Sequence, residues 1–169
     1  MAQQYENPPR IPGFYTLTKI HKPNLAGRPI VSGNGGPTDH VSSFIDSLVQ
    51  PIAKKQESYI KDTTDFVRFI ENTPIPDFAI IATLDVCSLY TNIPQEEGVN
   101  LKVVCKYYND HYQPNPPIPT STLGDLMKLI LKENSFHCNG KPFQQTHGIA
   151  MGTKMAVAFS VIFMAHVEK

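Results

Sequence analysis

The spacing of apolar and polar positions divides the chain into short elements of two periods. Phe14-Tyr15-Thr16-Leu17-Thr18 alternates and is rich in β-formers, and Ile30-Val31-Ser32 follows Arg28-Pro29. Two strands are predicted, the second stopped by Gly33-Asn34-Gly35-Gly36, a run suited to a tight turn, and they would pair as a hairpin. From Asp39 to Gln50, Val41, Phe44, Ile45, Leu48 and Val49 recur at i, i+3, i+4, i+7 and i+8, one face of a helix that Pro51 is expected to end. Thr63 or Thr64 can cap a second helix carrying Phe66, Phe69 and Ile70 and stopping before Pro74. The continuous run Phe78-Ala79-Ile80-Ile81-Ala82-Thr83-Leu84 reads as a buried central strand with Asp85 at its end.

Pro94 suits a first helical turn and Glu96 and Glu97 favour a helix start, so a helix through Val99, Val103 and Tyr107 is expected. Gln113 to Pro119, with four prolines, is a loop. Thr120, Ser121 or Thr122 caps the next helix, with Leu123, Leu126, Met127 and Ile130 on one face. Asn139-Gly140, between Phe136-His137-Cys138 and Lys141-Pro142-Phe143, is the strongest two-residue hairpin signal. A last helix is expected from about Thr153 to Lys169. It is apolar nearly all round, so surrounding protein is expected to cover it.

With 169 residues, 41% hydrophobic and 18% charged, the chain is one globular domain or part of a larger one, and dominant disorder is excluded. Cys87, Cys105 and Cys138 form no CxxC and no paired Cys/His spacing. That argues against a disulfide framework and a zinc site, and for a reducing compartment, nuclear or cytoplasmic. No signal peptide is read at the start. The longest apolar stretch, Met155 to Ala165, is about half of the roughly 20 residues a bilayer span needs, so no membrane partner is expected.

The net charge of zero hides a gradient. Residues 1–61 hold seven basic and four acidic side chains, which leaves eight and eleven of the 15 and 15 for residues 62–169. Between Asn7 and Thr38 there is no acid, while Arg10, Lys19, Lys22 and Arg28 are basic. A basic first third suggests a phosphate-bearing partner at that end; ordinary surface charge is the alternative.

An aspartate at the edge of a buried strand needs a metal ion, a cation or several backbone donors as partner; the plainer alternative is that Asp85 caps the turn Val86 to Ser88. The string Leu84-Asp85-Val86-Cys87-Ser88-Leu89-Tyr90-Thr91-Asn92-Ile93-Pro94 resembles the first aspartate motif of reverse transcriptases, most closely that of Penelope-like retroelements, a lineage related to telomerase reverse transcriptase. Phe14 to Pro23 and Arg28-Pro29-Ile30-Val31-Ser32 resemble fingers motifs of the same lineage, in the same order. Gln145-Thr146-His147-Gly148-Ile149-Ala150-Met151-Gly152-Thr153-Lys154-Met155-Ala156 resembles its glycine turn and helix, which lie under template and incoming nucleotide. The pattern departs at Val157, where a proline is usual, and at Ala158-Phe159-Ser160, which lacks the usual Ala-Asn pair.

The resemblance implies an α/β (α+β) fold: right-hand polymerase fingers over about residues 10–75, and part of a palm over about 76–169 with interleaved helices. It would stop before the Tyr-x-Asp-Asp hairpin that supplies the remaining metal carboxylates. The resemblance also implies RNA-directed DNA synthesis by two-metal nucleotidyl transfer with magnesium, manganese being the alternative ion. Asp85 and the main-chain carbonyl of Val86 would be metal ligands, Asp85 the catalytic one. Arg28, Lys19, Tyr90, Met151 and Gly152 would bind nucleotide, with Tyr90 checking the sugar. Lys22, His21 and Gly148 would meet template or primer, a solvated basic edge being the alternative for Lys19, His21 and Lys22; Gly148 and Gly152, without Cβ, would let backbone approach a base pair, plain turn glycines being the alternative.

The implied partners are an RNA template, a DNA primer, deoxynucleoside triphosphates and the rest of one polyprotein: the C-terminal palm, a thumb and a GIY-YIG endonuclease. Without a second acidic motif the 169 residues alone are expected to be inactive; Asp110 and Asp125 fall at predicted helix ends or caps. The rival readings are a non-catalytic nucleic-acid-binding remnant of a decayed retroelement and a degenerate reading frame whose product does not fold stably.

Overall fold

A computed structural model describes residues 8–20, 26–80, 82–95 and 99–169. In chain order these form β1 (Phe14–Thr18), β2 (Gly27–Val31), α1 (Asp39–Ala53), α2 (Thr63–Glu71), α3 (Leu89–Asn92), α4 (Val99–Tyr112), α5 (Thr120–Lys132), β3 (Ser135–Cys138), β4 (Lys141–Gln144) and α6 (Ala156–Val167). The fold is α+β, with two antiparallel hairpins beside a helical core.

That core lies where α1, α4, α5 and α6 meet. Ile45, Val49 and Ile52 of α1, Val104 and Tyr108 of α4, Leu123 and Met127 of α5, and Phe159 and Ile162 of α6 are all buried. Tyrosines lock the helices together through their hydroxyls, because a buried phenol needs a partner. Tyr112 Oη donates to Leu48 O at 3.0 Å, tying α4 to α1. Tyr108 Oη donates to Ile118 O and accepts from Ile118 N, fixing the proline-rich loop that leads into α5.

Tertiary packing moved several boundaries. Pro51 lies inside α1 instead of ending it, because Ile52 and Ala53 extend the buried stripe and Pro51 itself is exposed, where water can solvate the carbonyl its ring frees. The cap of α2 is Asp62, whose carboxylate accepts the Asp65 N–H at 2.9 Å, so neither Thr63 nor Thr64 is needed. Pro119 stands at the start of α5 with no side-chain cap, while the Thr120 hydroxyl turns to Asn109 Oδ1. Pro94 lies outside α4, its carbonyl accepting from the buried Asn100 side chain at 2.6 Å; residues 96–98 lie outside the described ones. α6 begins at Ala156, since Thr153 is taken up by the preceding turn, and α1, α3 and α4 cover one side of it while Val157 remains 61% exposed.

Asn139 and Gly140 both take positive φ, 49° and 74°, as the β3–β4 turn requires. Phe136 stacks between Phe14 and Phe143, joining the two hairpins, and His137 N donates to Pro12 O at 2.8 Å.

The expected central strand does not form. Phe78, Ile80 and Leu84 are 87%, 93% and 99% exposed on irregular backbone; Ile81 lies outside the described residues. A strand is made by its neighbours' hydrogen bonds, and among the described residues each sheet has only two strands, β1 with β2 and β3 with β4, so none flanks this run. Pro74 and Pro76 also remove donors, and Ala79 N bends back to Pro76 O. Replacing Phe159 with Ala is expected to cost about 3–5 kcal/mol, and Leu84→Ser to stay within about 0.5 kcal/mol, by urea denaturation of the full chain.

Candidate functional site

The segment from Gly148 to Met155 runs between the end of β2 and α3. Gly148 has φ of 71° and Gly152 of 124°, conformations a side chain resists. A Cβ on Gly148 would stand 2.6 Å from Thr91 Cα and 2.7 Å from Tyr90 O; one on Gly152 would collide with Val31 O. Hydrogen bonds run through the same close approach. Val31 N donates to Met151 O at 3.1 Å, Gly33 N to Gly152 O at 3.3 Å, Ile149 N to Tyr90 O at 2.6 Å and Gln95 Nε2 to Gly148 O at 2.5 Å. The turn is thereby stitched to β2 on one side and α3 on the other.

Between these elements lies a cavity of about 590 Å³ lined by Lys19, Arg28, Asp85, Val86, Ser88, Leu89, Tyr90, Met151, Gly152, Thr153, Lys154, Ala156 and Val157. The hairpin register explains its basic wall. Leu17 pairs with Arg28, and Lys19, two residues on, shares their face. The acidic corner is set by the turn into α3. Ser88 takes left-handed φ of 53°, its carbonyl accepts from Thr91 N and Asn92 N, and Asn92 Nδ2 donates to Cys87 O at 2.9 Å.

Seven residues singled out in the sequence therefore meet at one place: Lys19, Arg28, Asp85, Val86, Tyr90, Met151 and Gly152. Gly148 is buried and does not line the cavity, and its missing Cβ is accounted for by the backbone of α3. His21 and Lys22 lie outside the described residues. Asp85 corrects one expectation: it is exposed, not desolvated at a strand end, and among the described residues it makes no ion pair. Asp110 and Asp125 lie within α4 and α5, away from the cavity.

Sequence reasoning missed Lys154. Its ammonium lies 3.0 Å from Asp39 Oδ1, a pairing 115 residues apart that no local spacing reveals. Asp39 is held below its ordinary carboxylate range, first by the Gly35 N–H on Oδ2 at 2.9 Å and then by Lys154, against the opposing effect of burial. Burial pushes the Tyr90 phenol above its ordinary value, so at neutral pH it stays a hydrogen-bond donor.

The Asp85 carboxylate and the Val86 carbonyl are hard oxygen donors that suit a magnesium-like cation, whose remaining positions ligand oxygens and water would fill. The lining holds no second carboxylate, and the described residues form no cluster of three or more His, Cys, Asp or Glu. The donor set therefore fits one such ion shared with a ligand, and does not by itself fit a pair. No helix among the described residues is long and apolar enough to cross a membrane. No protein-family model and no curated protein matches the chain.

This geometry generates two expected outcomes. Gly152→Ala forces Cβ onto Val31 O and is expected to cost on the order of 2 kcal/mol or more, read by chemical denaturation. Because the folded pKa of Asp39 is lowered, its stabilisation is present above the ordinary value of 3.8 and is lost as pH falls through the folded value. Asp39→Asn should thus be less stable than wild type by about 1 kcal/mol at pH 7, with the gap closing in strong acid, by thermal melts across pH.

Proposed function

We propose that the chain is the fingers and first palm portion of an RNA-directed DNA polymerase of Penelope-like type, and that the cavity takes the triphosphate of an incoming deoxynucleotide. The observation that carries this reading is convergence. Three stretches separated by dozens of residues, around Lys19 and Arg28, around Asp85 to Tyr90, and around Met151 and Gly152, line one cavity of about 590 Å³. A cleft of that size is ample for a small ligand.

In this reading Arg28 grips phosphate through paired N–H groups and Lys19 adds a point charge. Tyr90, half-buried in the lining, borders the sugar, and Met151 and Gly152 form the bed for the base. Asp85 and the Val86 carbonyl would hold magnesium, which when bound neutralises phosphate charge and favours attack by a primer hydroxyl. Template RNA and primer would lie along the basic hairpin, and the carboxylates for a second ion would come from the rest of a longer polyprotein.

A single cavity carboxylate favours one rival, a non-catalytic nucleic-acid-binding remnant. Calorimetric titration of the full chain with dTTP, with magnesium and with EDTA, separates the two. The polymerase reading expects magnesium to tighten binding roughly tenfold and Asp85→Asn to remove that gain while the melting curve is kept. Equal affinity under all these conditions overturns it. In that case salt-sensitive binding of an RNA–DNA hybrid that ignores Asp85→Asn would establish the remnant.

A further inference from the structure

We propose that Lys154 is a third phosphate-binding cation of the cavity, held ready by Asp39; the proposal rests on the reading of the cavity as a triphosphate site. Lys154 lies in the lining with Lys19 and Arg28 of the β1–β2 hairpin, and Asp85 is the only acid of that lining. Counting Asp39, which pairs with Lys154, three cations stand against two carboxylates and leave an excess of one positive charge, which suits an anion.

The backbone around Lys154 is anchored on both sides. Gly152 O accepts from Gly33 N, and Met155 N donates to the buried Ser42 Oγ at 3.1 Å. The side chain is anchored as well. Asp39 Oδ1 holds the ammonium at 3.0 Å, while Asp39 Oδ2 is occupied by the Gly35 N–H at 2.9 Å, so the carboxylate is itself fixed. An ammonium has three donors, and Asp39 takes one. With the side chain 43% exposed and no second partner among the described residues, the other donors can meet a ligand oxygen without loss of the ion pair. Pre-positioning of this kind reduces the side-chain entropy lost on binding.

The test is titration of the full chain with inorganic tripolyphosphate, free of metal and at fixed low ionic strength. Lys154→Met should weaken binding about tenfold, Lys154→Arg should stay within about threefold of wild type, and Lys106→Met, on the exposed face of α4, should bind as wild type. The melting temperature of Lys154→Met should fall by no more than about 4 °C, since a half-exposed ion pair contributes little. If Lys154→Met binds like wild type while Arg28→Met loses affinity, the role of Lys154 is overturned and the anion site stands. If Lys106→Met weakens binding as much as Lys154→Met, the effect is general charge and the proposal is likewise overturned. If wild type does not bind tripolyphosphate, the triphosphate reading of the cavity fails, and this proposal with it.

Discussion

The close passage of the turn from Gly148 to Gly152 between β2 and α3 is the contact on which the rest of the arrangement depends. Two glycines at positive φ let backbone meet backbone at distances a Cβ would forbid, and four hydrogen bonds hold the approach. Through it the β1–β2 hairpin is attached to the helical core, and the cavity walls acquire fixed spacing. A side chain on Gly148 would push against α3 and the acidic corner, and one on Gly152 against the end of β2 and the basic wall.

The core and the cavity share a helix. α6 packs Phe159 and Ile162 against α1 and α4, and its first residues, Ala156 and Val157, form part of the cavity lining. Burial of α6 thus holds the turn that precedes it, including Lys154. The Phe78–Leu84 run behaves oppositely. It is apolar, its described residues are exposed, and it still leads directly to Asp85. Asp85 is accordingly placed from its C-terminal side, by the left-handed Ser88 and the short α3, and not by the strand expected before it.

Charge in the cavity is distributed by position in the fold, not by the gradient along the chain. Lys19 and Arg28 come from the basic first third and Lys154 from the mildly acidic remainder. Asp39 is outside the cavity lining; with Lys154 it lines a smaller cavity of about 270 Å³ that shares Gly152, Thr153 and Lys154 with the first. In the proposed reading, a hard cation at Asp85 and a polyphosphate against the three basic residues would each compensate the other's charge.

Local chemistry was readable in the sequence. The two hairpins, the amphipathic stripes of α1 and α5 and the Asn139-Gly140 turn come from residue type and near-neighbour spacing, whereas Lys19, Arg28, Asp85, Tyr90, Met151 and Gly152 are singled out by the resemblance of short motifs to a known family. Their meeting in one cavity, the Lys154–Asp39 pair and the partners of Gly148 were decided only by the tertiary structure, because contacts across more than fifty residues leave no periodic trace. The same limit explains the strand that does not form. An apolar run favours burial, but whether it becomes a strand depends on a neighbouring backbone to receive its hydrogen bonds, and that neighbour is a property of the fold and not of the run.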